Sequence, residues 1–112
     1  MEEYDDLSNG PNEEGIIDLS YNNWTEIPQD LYDMYRHRLK SLRMNNNKIA
    51  QVPKQIGKLA LLKELSLSHN QLDLIDGAIS NCIRLRKLDV SHNNLVALPP
   101  ALSNCRMLVS IF

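Results

Sequence analysis

The sequence predicts a curved α/β solenoid, with a concave parallel sheet backed by irregular or short helical segments, and three observations point to it. Leu39, Leu62, Leu85 and Leu108 recur at intervals of 23 residues, and Leu42, Leu65, Leu88 and Ile111 keep the same step. A polar column, Asn47, Asn70 and Asn93, runs in phase with them. The composition is that of an ordinary globular chain: 112 residues, 43% apolar and 23% charged. No apolar stretch approaches the roughly eighteen residues that a membrane helix needs. Self-similarity at a fixed period of this length is the mark of a repeat architecture.

Residues 1–14 are expected to form a flexible acidic tail, and residues 15–112 the repeat domain. The first fifteen residues carry six acids and no base, whereas the rest carries 12 Lys and Arg against 8 acids. This acidic start, without an apolar block, is the opposite of a secretory or mitochondrial leader. It predicts a cytoplasmic protein, or a nuclear one, with Cys82 and Cys105 reduced and packed as small hydrophobes. On charge alone, the tail is a candidate to fold over the basic residues of the domain.

The first unit, Gly15 to Trp24, puts Ile17, Leu19, Asn22 and Trp24 in the repeating columns. It lies 25 residues before the second, so two extra residues sit between Gln29 and Arg38. There DLYDMYRHRL has apolar residues near helical spacing, which predicts a longer helical turn with Asp30 as its cap. The next units read LKSLRMNNNKI, LKELSLSHNQL and LRKLDVSHNNL, and a fifth, LVSIF, stops in mid-strand. In each, alternation near the end fits a short strand with one buried face. The asparagines (Asn22, Asn47, Asn70, Asn93) are expected to turn inward, where an amide satisfies backbone groups that water cannot reach. Beyond the turn, Ile27, Val52, Ile75 and Leu98 should return to the core, as should Leu31, Ile56, Ile79 and Leu102. Pro28, Pro53 and Pro99 fix the convex return, and Asp76 replaces proline in the third repeat, predicting a less rigid turn there.

These residues resemble the leucine-rich repeat family, whose motif is L-x-x-L-x-L-x-x-N-x-L. The variable halves, IAQVPKQIGKLAL and LVALPPALSNCRM, are similar to the intracellular Ras-group type. The resemblance covers residues 15–112 as four repeats and a truncated fifth. It implies non-catalytic binding of a protein partner, as an adaptor or scaffold in signalling inside the cell.

Candidate partner-binding residues are the outward positions of the strands and the turns after them. They comprise Asp18, Tyr21, Arg43, Asn45, Asn46, Glu64, Ser66, Ser68, His69, Lys87, Asp89, Ser91 and His92. Such a mixed polar, pre-formed array suits a folded protein or an extended peptide. His69 and His92 share a column beside Asp89, but two or three ligands without a closed set fall short of a zinc site, so no metal or cofactor is expected. Serines lie near these histidines without a readable orienting acid or oxyanion pocket, and no phosphate-cradling or metalloprotease motif occurs, so catalysis is not expected. Lys40, Lys63 and Arg86 form a basic strip; with no interleaved aromatics, nucleic acid is disfavoured as its ligand. The finish, MLVSIF, lacks a polar cap, which predicts a fragment of a longer array, a frayed strand, or self-association through the C-terminal edge as the alternative role.

Overall fold

Five short parallel strands lie in one sheet in the computed structural model, which describes residues 10–112. They are β1 (Ile16–Asp18), β2 (Ser41–Arg43), β4 (Glu64–Ser66), β6 (Lys87–Asp89) and β7 (Ser110–Ile111), in that spatial order. The pairing register restates the sequence period, since Ile17 faces Leu42, Leu42 faces Leu65, Leu65 faces Leu88 and Leu88 faces Ile111. One lateral step is therefore one repeat, and the first step absorbs the two extra residues. The acidic segment expected at residues 1–14 falls outside the described residues at positions 1–9.

The leucine columns form the core because no single turn can enclose its own apolar side chains. Leu39, Leu62 and Leu85, and with them Leu42, Leu65 and Leu88, are fully buried. Ile27, Val52 and Ile75 return inward from the convex side, as do Leu31, Ile56, Ile79 and Leu102. Leu98 departs from its column and is 38% exposed, because no described turn stacks beyond it. Leu108 is half-buried for the same reason. The last strand is paired and not frayed: Phe112 N donates to Leu88 O at 2.9 Å, and Val90 N to Phe112 O at 2.9 Å.

On the convex side the first unit carries helix α1 (Gln29–Tyr35), which buries Leu31, Tyr32 and Tyr35. The other complete units carry five-residue 3₁₀ helices at Lys54–Lys58, Gly77–Asn81 and Pro100–Asn104. The expected Asp30 cap is corrected: Asp30 lies inside the first turn, and Pro28 holds the cap position without a side-chain bond. Proline's fixed φ orients that entry without a capping oxygen. The third repeat reaches the same path without proline. Asp76 takes nearly the backbone angles of Pro99, φ −67° and ψ 143° against −64° and 134°, and its carboxylate accepts from Ala78 N at 2.9 Å. A side-chain hydrogen bond thus does there what a ring does elsewhere. A second, two-stranded parallel sheet, β3 (Gln51–Val52) with β5 (Leu74–Ile75), joins two repeats behind the turns. Nothing in the repeating columns predicts it.

The outer edge of β1 is closed by its own lead-in. Asn12 N donates to Ile16 O at 3.0 Å, and Asn12 Oδ1 accepts from Ile16 N at 3.0 Å and from Glu14 N at 2.9 Å. One asparagine thereby stands in for a preceding strand. Gly15, at φ +82°, makes the bend, and a Cβ there would lie 2.8 Å from Arg38 O.

Candidate functional site

Behind the concave face, the inward asparagines fix the turn after each strand. Asn70 Oδ1 accepts from Ile49 N at 3.0 Å, while its Nδ2 donates to Met44 O and Leu67 O at 3.0 Å each and to Ser68 O at 3.3 Å. Asn47 repeats the pattern toward Asn22 N, Trp24 N, Leu19 O and Met44 O. Asn93 does so toward Leu72 N, Leu67 O and Val90 O. Asn22 differs: half-buried, it donates only to Ser20 O within its own turn. These bonds bridge consecutive repeats, so they set the pitch of the face they support.

Directly after the strands, Tyr21, Asn46, His69 and His92 all adopt left-handed backbone, with φ between 56° and 62°. The column expected as an edge of the strands is therefore a turn column. Asparagine tolerates this region, histidine less so, and tyrosine poorly. Neighbouring turns are locked together, since Tyr21 N donates to Asn45 O, Asn46 N to Ser68 O and His69 N to Ser91 O. Repeated left-handed turns aim their side chains along one rim. There the His69 and His92 rings stack with centroids 4.1 Å apart and planes inclined by 9°. Tyr21, at the start of the rim, is 77% exposed. Among the described residues no group of three or more His, Cys, Asp or Glu is placed to hold a metal ion.

The neutral polar positions of the sheet bond to one another. Asn45 Oδ1 accepts from Ser66 Oγ at 2.8 Å, Ser68 N at 2.8 Å and Ser68 Oγ at 3.1 Å. Asn45 N in turn donates to Ser20 Oγ at 3.0 Å. Ser91 donates to Asp89 Oδ1 from its backbone and its hydroxyl, and Asp18 accepts likewise from Ser20 N. Glu64 accepts from Ser41, which is buried beneath it. What projects outward is a smaller set: Arg43 and Lys87 on the strands, the Lys87 ammonium lying 5.7 Å from the centre of the Phe112 ring, and Tyr21, His69 and His92 on the rim, all exposed. A hollow of about 190 Å³ lies between Arg43, Glu64, Ser66 and Lys87. It shares Arg43 and Glu64 with a larger depression of about 360 Å³ that reaches Lys40, Lys63, Arg86 and Glu14. All thirteen partner-binding candidates lie on this one face. Glu14 was not among them, because its place beside Lys40 depends on the lead-in turn and leaves no periodic signal.

Cys82 and Cys105 stack in one column on the opposite side as separate buried thiols. Each donates to a carbonyl of the preceding repeat, Cys82 to Ile56 O at 3.3 Å and Cys105 to Ile79 O at 3.7 Å. Burial, helped by the neighbouring Cys105, pushes the Cys82 thiol up to about 12. Such a thiol is an inert packing group at neutral pH. Tyr32, burying its hydroxyl against the same region, has no hydrogen-bond partner for that oxygen among the described residues. Among the described residues, no helix is long and apolar enough to cross a membrane.

The sequence model for the leucine rich repeat matches residues 37–95, just over half of the chain. A search of curated proteins returns no match. Among solved structures, an LRR protein of Leptospira interrogans aligns with a TM-score of 0.68 and 25% sequence identity, over 96% of this chain and 32% of its own. The chain spans about a third of the length of that protein. With the repeat register, the inward asparagines and these two matches in hand, the chain belongs to the leucine-rich repeat family.

Proposed function

We propose that the chain is a non-catalytic protein-interaction module that seats a partner on its concave sheet, as an adaptor or scaffold inside the cell. Leucine-rich repeat domains in general are interaction modules rather than enzymes. The observation that carries the reading is the division of labour on the concave face. Most of its hydroxyls and amides, with the carboxylates of Asp18, Glu64 and Asp89, are engaged within the face, which stiffens the surface, and Arg43, Tyr21 and the stacked histidines are left exposed to a partner. A rigid surface loses little entropy on binding, and a few central side chains then carry most of the affinity. Two thiols packed without a bridge fit a reducing compartment.

The test is affinity capture with a tagged native chain and an Arg43→Glu/His69→Ala double variant. Both side chains are exposed, so folding should be unchanged by circular dichroism. A protein retained by the native chain and lost by the double variant supports the concave site. Equal retention by both refutes it. A second reading, assembly through the outer edge of β7, is favoured by the exposure of Val109 (77%), Ile111 (45%) and Phe112 (59%). Light scattering over a concentration series decides it, because a strictly monomeric chain removes the self-association form of that reading.

A further inference from the structure

The basic strip is unusual in energetic terms. Lys40, Lys63 and Arg86 stand one repeat apart, at the residue before each strand pair begins, and all three are exposed. Their backbones are pinned. Lys40 O accepts from Lys63 N and Glu64 N, Lys63 O from Arg86 N and Lys87 N, and Arg86 O from Val109 N and Ser110 N. Neighbouring cations are thereby held at the strand spacing of about 4.8 Å between backbones. Like charges side by side across a sheet are destabilising. Yet the one ion pair among the described residues, Lys58 with Asp33, lies on the convex side and relieves none of them. The side chains line the depression of about 360 Å³ together with Arg43.

We infer that this depression is an anion-recognition subsite for an acidic segment of a protein partner, held by Lys40, Lys63, Arg86 and Arg43. The inference rests on the concave-face reading and names the chemistry of what that face takes. Glu14 and Glu64 also line the hollow, so its four cations exceed its carboxylates by two, an excess that suits a flexible acidic chain. A polypeptide can turn its carboxylates toward the cations and away from the two glutamates. Nucleic acid needs stacking platforms, and among the described residues no aromatic lines the hollow.

The probe is a fluorescein-labelled hexaglutamate peptide, its anisotropy followed as full-length chain is added. Hexaglutamine, a charge-matched single-stranded oligonucleotide and phosphatidylserine vesicles are run alongside. The expected result is saturable binding of hexaglutamate that weakens several-fold from 50 to 200 mM salt, with none for hexaglutamine. Lys63→Glu/Arg86→Glu should weaken it at least about tenfold, and Lys63→Arg should restore binding lost in Lys63→Met. Unchanged affinity in the reversal variant overturns the subsite, as does tighter binding of the oligonucleotide or the vesicles than of the peptide. His69→Ala keeps the subsite apart from the broader reading, because it should leave hexaglutamate affinity unchanged while weakening a captured partner. Capture that depends on His69 without hexaglutamate binding refutes the subsite and leaves the concave face standing.

Discussion

Replacing Asn70 by alanine tests the physical basis of the repeat at one side chain. The four bonds of that amide are not equivalent. Met44 O is also held by Asn47, Leu67 O by Asn93, and Ser68 O by the backbone of Asn46. The three carbonyls thus keep one partner each when Asn70 is truncated. Ile49 N has Asn70 Oδ1 as its acceptor and loses it, inside the core, where an unpaired amide costs about 1–3 kcal/mol. The two N–H groups of the amide serve those three carbonyls, so two forfeited bonds at about 0.5–1.5 kcal/mol each bring the expected loss to about 2–6 kcal/mol. That is a large part of the roughly 5–15 kcal/mol a domain of this size possesses. Asn22→Ala is the internal control: half-buried and holding a single bond to Ser20 O, it should cost about 1 kcal/mol or less. Urea unfolding followed by far-ultraviolet circular dichroism and by Trp24 fluorescence reads both. Equal losses at the two positions, or a loss below about 1 kcal/mol at Asn70, would refute the claim that inward amides hold the turns.

Tyr32→Phe should stabilise the chain by about 1–2 kcal/mol, seen as a higher urea midpoint, since it removes a buried hydroxyl without a partner among the described residues. Alkaline pH should destabilise it: burial holds the Cys82 thiol up to about 12 against its ordinary value of 9.0, so between these the unfolded state binds fewer protons than the folded state. Stability from this group is therefore full below about pH 9 and falls above it by up to about 1.4 kcal/mol per pH unit, a slope that Cys82→Ala should flatten in urea titrations at stepped pH. Tyr21→Gly should raise the melting temperature, because glycine relieves a left-handed backbone worth about 1 kcal/mol, while weakening partner capture if the rim takes part in it.

Much of the fold was legible because one interval governs it. The leucine columns became the pairing register, and the two extra residues before Leu39 became helix α1 in place of a 3₁₀ turn. What escaped sequence reasoning depends on contacts between repeats or on local backbone choices without a side-chain signature. Left-handed turns at Tyr21, His69 and His92 are invisible because those residue types do not announce them, although Asn46 in the same column hints at it. Asp76 acts like proline through a hydrogen bond that needs the turn to exist first. The same holds for the concave site. Its residues could be enumerated from the columns, but not that Asn45, Ser66 and Ser68 bond to one another while Arg43 and the histidine pair stay exposed.

Hydroxyl-radical footprinting of the chain, alone and bound to a captured protein partner, tests most directly which face does the binding. Tyr21, His69 and His92 are exposed, oxidisable markers of the concave rim, Met34 marks the convex helix, and Met107 the last turn. Concave seating predicts that a partner shields the tyrosine and the two histidines while Met34 and Met107 stay as reactive as in the free chain. Shielding of Met34 or Met107 with the histidine pair still open would contradict it.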